Sequence, residues 1–252
     1  MVTPKKYLGQ HFLEDETVVQ RTAQACVGLA SKQVIEVGPG EGVLTVELLK
    51  HYDDLMVIEL DQESVQHLRK NEILPEKRII SDDFLKWTIP QGEWILAGNF
   101  PYNISSQIVF KMLESRDRFV GMVGMFQKEV AERIVSKPGS KVYGITSVLT
   151  QAFYDAEYLF TVEAEAFRPP PKVQSGVIRL KRRDIVGLGC DEEFFKRIVK
   201  QSFNQRRKML RNTLKEYIDD GSAPEIESYL NQRPEQLHYN DFIKLADWKI
   251  IK

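Results

Sequence analysis

Hydrophobic and polar positions along the chain switch repeatedly between a period of about two and a period of about 3.6 residues. Residues 15–26 have apolar side chains at helical spacing behind an acidic start. Strand patterns follow at residues 33–37, 55–61, 78–84, 93–100 and 120–127, and helical patterns lie between and after them at 43–51, 62–71, 105–115 and 128–136. Strands that alternate with helices predict βαβ units, hence an α/β fold with a mostly parallel sheet covered on both faces.

The pattern changes towards the end of the chain. Two extended runs at residues 157–167 and 175–183 are joined by a proline-rich link too short for a crossover helix, which predicts an antiparallel last strand. Segments 191–203, 206–218, 224–230 and 241–251 are all helical in period. We therefore predict two domains, an α/β domain over residues 1–184 and a small all-α domain over residues 185–252.

Composition and targeting signals narrow the class of protein. The 252 residues are 42% hydrophobic and 28% charged, as in ordinary globular proteins. No secretory signal or membrane-spanning run is visible, so we expect a cytoplasmic protein without a membrane partner. Cys26, Cys190 and the four histidines show no metal-ligand spacing, so we expect no metal and no disulfide, with both cysteines as small buried groups. No long apolar face calls for a second copy, which predicts a monomer.

Charge is distributed unevenly. The formal net charge is −1, but residues 168–215 contain 14 Lys and Arg against 4 Asp and Glu, a local charge of +10. Such asymmetry indicates either a basic surface that faces a polyanion or an ordinary solvated helix face, and the feature alone does not distinguish the two.

A glycine loop follows the first strand of the sheet. Gly38, Gly40 and Gly42 form a GxGxG pattern, one residue short of the dinucleotide GxGxxG spacing. Glycine there lets a ligand approach the backbone, although tight packing of strand on helix also explains such a loop. Flanking Glu36 and Glu41 are unsuited to a pyrophosphate and suit a ligand with a cationic amine.

Acidic residues end the next two strands. Glu59 lies 17 residues after Gly42, where nucleotide-binding folds place a carboxylate that accepts hydrogen bonds from both ribose hydroxyls. Asp83 ends the third strand and is placed to meet an exocyclic adenine amine. Together with the loop, these residues predict an adenosine-bearing ligand without a pyrophosphate, and S-adenosylmethionine fits best.

Asn99-Phe100-Pro101-Tyr102 falls at the tip of the fourth strand, where open α/β sheets place their sites. An [ND]-x-P-[YF] stretch after such a loop resembles the signature of enzymes that methylate exocyclic amino groups of bases. The form NFPYNIS is similar to that of ribosomal RNA adenine N6-dimethyltransferases. In that reading the Asn99 oxygen and the Pro101 carbonyl accept the N6 hydrogens of the target adenine.

Three further stretches resemble the same family between about residues 7 and 214. YLGQHFL at residues 7–13 resembles its N-terminal segment, in which the positions of His11 and Leu13 line the cofactor site. FRPPPKVQS at residues 167–175 resembles its FxPxPxVxS segment, whose leading aromatic, here Phe167, faces the target base. Tyr102 and Phe167 would then sandwich an adenine extruded from the RNA. RRKMLRN resembles an RNA-binding helix of the family, which implies RNA contacts from Arg206, Arg207, Lys208 and Arg211.

The resemblance implies a function for each domain. Residues 1–184 would be the S-adenosylmethionine-binding methyltransferase domain and residues 185–252 the RNA- and ribosome-binding domain. The form with a complete LGQHFL start dimethylates two adjacent adenosines in the hairpin loop near the 3′ end of small-subunit rRNA, during assembly of the subunit. Two departures are minor: Phe100 replaces the commoner leucine or isoleucine, and His11 replaces the commoner asparagine.

Three alternatives remain at this stage. Erythromycin-resistance dimethyltransferases share several motifs but act on large-subunit rRNA and are basic throughout, unlike this chain of net charge −1. A second alternative is an assembly factor whose binding role outweighs catalysis. A third, an NAD-dependent oxidoreductase, is disfavoured by the GxGxG spacing and by the lack of a suitable His or Lys near the strand ends.

Overall fold

A computed structural model describes residues 2–218 and 224–247 of the chain. The strands are β1 (Phe12–Leu13), β2 (Gln33–Val37), β3 (Asp54–Glu59), β4 (Ile79–Ser81), β5 (Trp94–Asn99), β6 (Phe119–Gln127), β7 (Tyr154–Val162), β8 (Phe167–Arg168) and β9 (Ser175–Arg182). The helices are α1 (Glu16–Val27), α2 (Val43–Leu48), α3 (Gln62–Lys70), α4 (Ser105–Glu114), α5 (Lys128–Val135), α6 (Ile145–Phe153), α7 (Glu192–Asn204), α8 (Leu210–Thr213), α9 (Pro224–Leu230) and α10 (Tyr239–Asp247).

Seven strands form one sheet in the order β4-β3-β2-β5-β6-β9-β7. Strands β2 to β6 are parallel to their neighbours, and β9 runs antiparallel to β6. The predicted α/β fold with a mostly parallel, Rossmann-like sheet and an antiparallel last strand is confirmed. Chain order reverses between β2 and β5, so the carboxyl ends of β2, β3 and β5 border one crevice.

The central strands are apolar because both of their faces are covered. Every residue of β5 except Asn99 is buried, and β6 is buried from Phe119 to Phe126. Helix α1 packs against this sheet, and Asp15 caps it by accepting the Val18 N–H at 3.0 Å. Cys26 lies in this core, as predicted, whereas Cys190 is only half-buried.

The chain divides into two compact units. The first comprises residues 1–131 and 155–182, and the second comprises residues 132–154 and 183–252. This division differs from the predicted contiguous domains because residues 132–154 group with the C-terminal helices. The Gly139 N–H, for example, donates to the Glu235 carbonyl at 2.7 Å, which joins residues 132–154 to the C-terminal part of the second unit.

Two elements of the second unit differ from expectation. Helix α6 was not predicted, and the expected helix over residues 206–218 is wrong. Helix α7 ends at Asn204, a turn follows at residues 205–207, and only Leu210–Thr213 is α-helical. Met209 is extended, with φ −68° and ψ 151°, and the Leu210 N–H donates to the Gln232 carbonyl at 2.9 Å. A tertiary hydrogen bond thus replaces the helical one.

Two features are absent from the described residues. Over residues 2–218 and 224–247, no helix is long and apolar enough to cross a bilayer. The same residues contain no group of three or more His, Cys, Asp or Glu that could hold a metal ion. The predicted end of the last helix, residues 248–251, lies outside the described residues.

Candidate active site

A cavity lies at the carboxyl ends of β2, β3 and β5, within the first unit. It is lined by nine of the ten predicted catalytic and cofactor-binding residues, namely His11, Leu13, Gly38, Gly40, Glu59, Asp83, Asn99, Pro101 and Tyr102. The exception is Phe167. The structure thus brings together residues that the sequence spreads over more than 90 positions.

The glycine loop has a conformation that only glycine adopts easily. Gly38 and Gly40 have φ values of 70° and 56°, in the left-handed region. A Cβ atom on Gly40 would lie 2.8 Å from the ring of Phe12, so a side chain would also displace that ring. The loop backbone therefore stays bare at the cavity wall, as close approach by a ligand requires.

Glu59 is fixed at the end of β3. Its side chain is 6% exposed, and its two oxygens accept the N–H groups of Gly40 at 3.2 Å and Asp61 at 2.8 Å. Burial raises the pKa of Glu59, while these backbone N–H groups oppose the shift. The Leu60 N–H also favours the charged form, and since a carboxylate has about four lone-pair sites, the group can still accept a hydroxyl hydrogen.

Asp83 lies on the same cavity wall, after β4. Its Oδ1 atom accepts the N–H of Leu85 at 3.0 Å, and Oδ2 is 3.7 Å from the ammonium of Lys86. The backbone bond fixes the carboxylate, and its second oxygen can accept a hydrogen bond from an amine.

The two acids that flank the glycine loop differ in role. Glu41 accepts the Val2 N–H at 2.6 Å and an Arg168 N–H at 2.8 Å. Its charge is therefore already paired with a guanidinium, which makes it less suited than expected to a cationic amine of the ligand. Glu36 is 1% exposed, and its one hydrogen bond among the described residues is accepted from the Thr45 hydroxyl at 2.6 Å. Burial raises the pKa of Glu36 to about 8, which leaves it as the acid that a buried cation would stabilise.

Glu36 predicts a pH dependence of stability. Its carboxyl titrates at about 8 in the folded protein against an ordinary 4.5, so between these values the folded state holds a proton that the unfolded chain has released. The free energy of unfolding of the ligand-free protein should therefore fall as pH rises through this window. Glu36→Gln should remove that fall, and exposed Glu114→Gln should not, in urea titrations from pH 5 to 9. Parallel curves for all three proteins would contradict the assignment.

The N-terminal segment closes one side of the cavity. Leu8, Gly9 and Gln10 lie on its wall. Lys5 forms an ion pair with Asp61, and Gln10 donates to the same carboxylate at 3.3 Å. Asp61 is thus both the N-cap of α3 and the anchor of this segment. Sequence reasoning missed Lys5 and Asp61 because no local pattern links residues 56 positions apart.

Asn99 is oriented by the backbone of His11. The Asn99 Nδ2 atom donates to the His11 carbonyl at 2.8 Å. Because a carbonyl only accepts, this bond fixes which way the amide faces. Oδ1 remains available as an acceptor for a hydrogen on a ligand's amine.

Pro101 and Tyr102 are held beside Asn99. The Pro101 carbonyl accepts the Ile104 N–H at 3.2 Å and keeps one lone pair. The Tyr102 hydroxyl lies 2.5 Å from Ser175 Oγ, and its ring stacks on His11 with centroids 5.4 Å apart. Burial raises the pKa of Tyr102, and the Ser175 bond opposes the shift, so the phenol is neutral near pH 7.

Phe167 does not have the predicted position. Its side chain is 3% exposed and belongs to the apolar core that includes Leu13 and Val18. It is held there by strand pairing, since β8 runs antiparallel to β1 with Leu13 opposite Phe167. Phe167 therefore does not lie opposite Tyr102, where the two rings were expected to sandwich the target adenine. The ring that faces Tyr102 in this structure is that of His11.

The structure explains why a phenylalanine fits at position 100, where leucine or isoleucine is commoner in the family. Its ring is 1% exposed and packs edge-to-face on Phe126, with centroids 5.1 Å apart. A Cβ on Gly98 or Gly124 would lie 2.9 or 2.2 Å from that ring, so two glycines make the space that the phenylalanine fills. The larger ring thus braces the strand end that carries Asn99.

The four predicted RNA-binding residues fall into two pairs in the second unit. Arg206 lies 3.9 Å from the Glu235 carboxylate and donates to the Ser140 carbonyl at 3.0 Å, and Arg211 pairs with Glu227. Arg207 and Lys208 are exposed, and within the described part of the chain neither forms an ion pair. The structure does not group all four as one free basic surface.

The cavity residues fit S-adenosylmethionine. Glu59 can still accept a hydrogen bond from a ribose hydroxyl, and Asp83 can accept one from an adenine amine. The ammonium of the methionine part would stabilise the charged form of buried Glu36. The bare backbone at Gly38 and Gly40 permits close approach. These five residues would hold the cofactor.

Comparison with known proteins identifies the family of the chain. A 51% identical protein of Bacteroides thetaiotaomicron, "Ribosomal RNA small subunit methyltransferase A", aligns over 98% of this chain and 94% of its own length. A dimethyladenosine transferase structure from Plasmodium falciparum is 24% identical, with a TM-score of 0.80 over 93% of this chain and 96% of that one. The structure of 23S rRNA methyltransferase ErmE is also 24% identical, with a TM-score of 0.69 over 94% and 99%. At that identity the two structures show a shared fold. Residues 1–250 match the family described as "Ribosomal RNA adenine dimethylase", and the chain belongs to that family.

Proposed function

We propose that this chain dimethylates N6 of two adjacent adenosines in the hairpin loop near the 3′ end of small-subunit rRNA, during assembly of the subunit. The observation that carries the chemistry is the Asn99 amide, whose oxygen is left free by the bond from Nδ2 to the His11 carbonyl. The choice of the small subunit is supported by the relative that is 51% identical over nearly the whole chain.

The site addresses the weak nucleophilicity of an adenine amine. The N6 lone pair is delocalised into the ring, so the nitrogen must be held in line and drawn towards a pyramidal form. Asn99 Oδ1 and the Pro101 carbonyl accept the two N6 hydrogens, and Tyr102 stacks on the base. S-adenosylmethionine, when bound, supplies the electrophilic methyl group. The proton that the amine loses passes to water, so no strong base is needed.

The second transfer uses the same residues with one hydrogen fewer. After the first methyl group has been added, N6 retains a single hydrogen, which one of the two acceptors can still bind. The other acceptor then faces a methyl group. The site must therefore tolerate one unmatched acceptor, which costs less in a partly exposed site such as that of Asn99 than in a sealed one.

We also propose that the C-terminal helical region, residues 185–252, binds RNA. Arg207 and Lys208 are exposed, and Arg197 and Lys200 are exposed three residues apart on α7. Exposed cations of this kind bind phosphates and release counterions. A basic region confined to part of a chain with net charge −1 suits docking on a preformed particle.

Paired variants separate RNA contact from structural support. Arg207→Ala/Lys208→Ala should weaken binding to small subunits and reduce the slope of log affinity against log salt by roughly 1.5, because two phosphate contacts are lost. Arg206→Ala/Arg211→Ala should instead lower the melting temperature, since both side chains form internal ion pairs. Filter binding at several salt concentrations, with thermal melts, measures both. An unchanged salt slope in the first variant would contradict this placement.

A methyl-transfer assay tests the proposed function. The protein is incubated with labelled S-adenosylmethionine and small subunits that lack the modification, with mature small subunits and free rRNA in parallel. We expect about four labelled methyl groups per unmodified small subunit, two on each of two adenosines, and little label in mature subunits or free rRNA. Small subunits that assemble normally with Asn99→Ala in cells lacking the wild-type chain would favour the assembly-factor alternative.

A further inference from the structure

His11 connects the groups that we assign to the target adenine. Its backbone carbonyl accepts the Asn99 amide hydrogen at 2.8 Å, and its ring stacks on Tyr102 at 5.4 Å with an interplanar angle of 25°. These two residues are the ones that would orient and stack the base. A residue implied only as part of the cofactor wall thus contacts both of them.

The imidazole is itself fixed by the proline-rich segment. His11 Nδ1 lies 2.7 Å from the Pro169 carbonyl, and since a carbonyl only accepts, Nδ1 carries the hydrogen. The same segment ends at Ser175, whose hydroxyl is 2.5 Å from that of Tyr102. The contacts therefore form a closed ring from His11 through Tyr102 and Ser175 back to Pro169.

Ser175 and His11 restrict the Tyr102 side chain in different ways. The Ser175 bond fixes the phenol end of the side chain, but it leaves the ring free to rotate about its long axis. The His11 ring stops that rotation, because a tilted Tyr102 ring would lose the stacked contact. Asparagine, the commoner residue at this position in the family, can donate to the Pro169 carbonyl but has no ring to stack.

We propose that His11 is a positioning residue for the target adenine, acting by holding the Tyr102 ring in the plane on which the base stacks. This inference rests on the proposed function, since it assigns Tyr102 to the base. It gives His11 a role beyond contact with the cofactor.

A double-mutant cycle tests the inference. His11→Ala should reduce kcat about three- to tenfold at saturating cofactor and small subunits, the range expected for one aromatic pair. In a Tyr102→Ala background the same substitution should have no further effect, because the residue through which it acts is gone. The Asn99 orientation is kept in every variant, since the His11 backbone carbonyl remains. Equal losses in both backgrounds would overturn the proposal.

Conservative variants and a binding measurement complete the test. His11→Phe keeps a ring and should retain most of kcat, whereas His11→Asn should resemble His11→Ala. Affinity for S-adenosylhomocysteine, measured by calorimetry, should fall by a smaller factor than kcat in the His11→Ala and His11→Asn variants. A loss confined to that affinity, with kcat unchanged, would show a cofactor-wall role only and overturn the proposal.

One readout does not depend on the substrate. The ring resonances of Tyr102 in NMR spectra should shift in His11→Ala and His11→Asn and remain closer to wild type in His11→Phe. Unmoved resonances would overturn the proposal even if the wild-type chain methylated no small subunit, a result that would count against the proposed function alone.

Discussion

Asn99→Ala is expected to reduce the rate of methyl transfer about 100- to 1,000-fold, the cost typical of removing one preorganised polar group from an active site. The substitution deletes the oxygen that would accept an N6 hydrogen, and it leaves the His11 carbonyl without its 2.8 Å donor. Binding to the small subunit should change little, because phosphate contacts supply most of that affinity. Single-turnover rates on unmodified subunits measure the effect.

Asn103→Ala is the matched control for that substitution. Asn103 lies four residues away, is exposed, and donates a long 3.5 Å bond to the Tyr7 carbonyl. Its loss removes the same chemical group from another point on the cavity wall. Comparable rates for the Asn99 and Asn103 variants would mean that the amide does not act on the substrate.

Glu59→Ala is expected to weaken S-adenosylmethionine binding by about 100-fold or more, since hydrogen bonds to a charged acceptor contribute about 1.5–3 kcal/mol each. The variant should also be less stable, because the N–H groups of Gly40 and Asp61 lose their acceptor. Calorimetry measures the affinity, and a melt in the absence of ligand measures the stability.

Two variants separate these effects. Glu59→Gln keeps the shape and one acceptor oxygen, so its affinity should fall less than that of Glu59→Ala. Glu76→Ala removes an exposed carboxylate from the connection between β3 and β4, and it should leave both quantities unchanged. A folded Glu59→Ala protein with wild-type affinity would refute the assignment of this carboxylate to the cofactor.

The sheet and most of the cavity could be predicted because their signals are local. Apolar runs that end at a glycine loop, at Glu59 or at Asn99 indicate both a buried strand and its exposed end. Parallel strands then bring those ends to one edge. The sequence thus places Gly38, Glu59, Asp83 and Asn99 near each other without any knowledge of packing.

Features that depend on distant contacts could not be predicted in the same way. Strand β1 has two residues, too few for a periodic pattern, and pairs with β8 more than 150 positions later. That pairing buries Phe167, an aromatic whose sequence context fits a core position and a stacking position equally well. The anchoring of Lys5 on Asp61 is likewise invisible locally.

The second unit shows the limit of helical periodicity. Residues 206–218 have the spacing of a helix, but the Leu210 N–H donates to the Gln232 carbonyl and not to the backbone one turn earlier, so only Leu210–Thr213 is α-helical. Arg206 and Arg211 belong to a basic segment that resembles an RNA-binding surface. In the structure, Arg206 pairs with Glu235 and Arg211 pairs with Glu227. Charge density in a sequence therefore does not reveal which cations remain unpaired.

The most direct test of the proposed function is a map of the product. The protein is reacted with unmodified small subunits and, separately, with large subunits, and N6,N6-dimethyladenosine is located by mass spectrometry of rRNA fragments. We expect two adjacent dimethylated adenosines in the 3′-terminal fragment of small-subunit rRNA, and at least about 100-fold less product at early times when Asn99→Ala replaces the wild-type chain. Dimethylation confined to large-subunit rRNA would contradict the account.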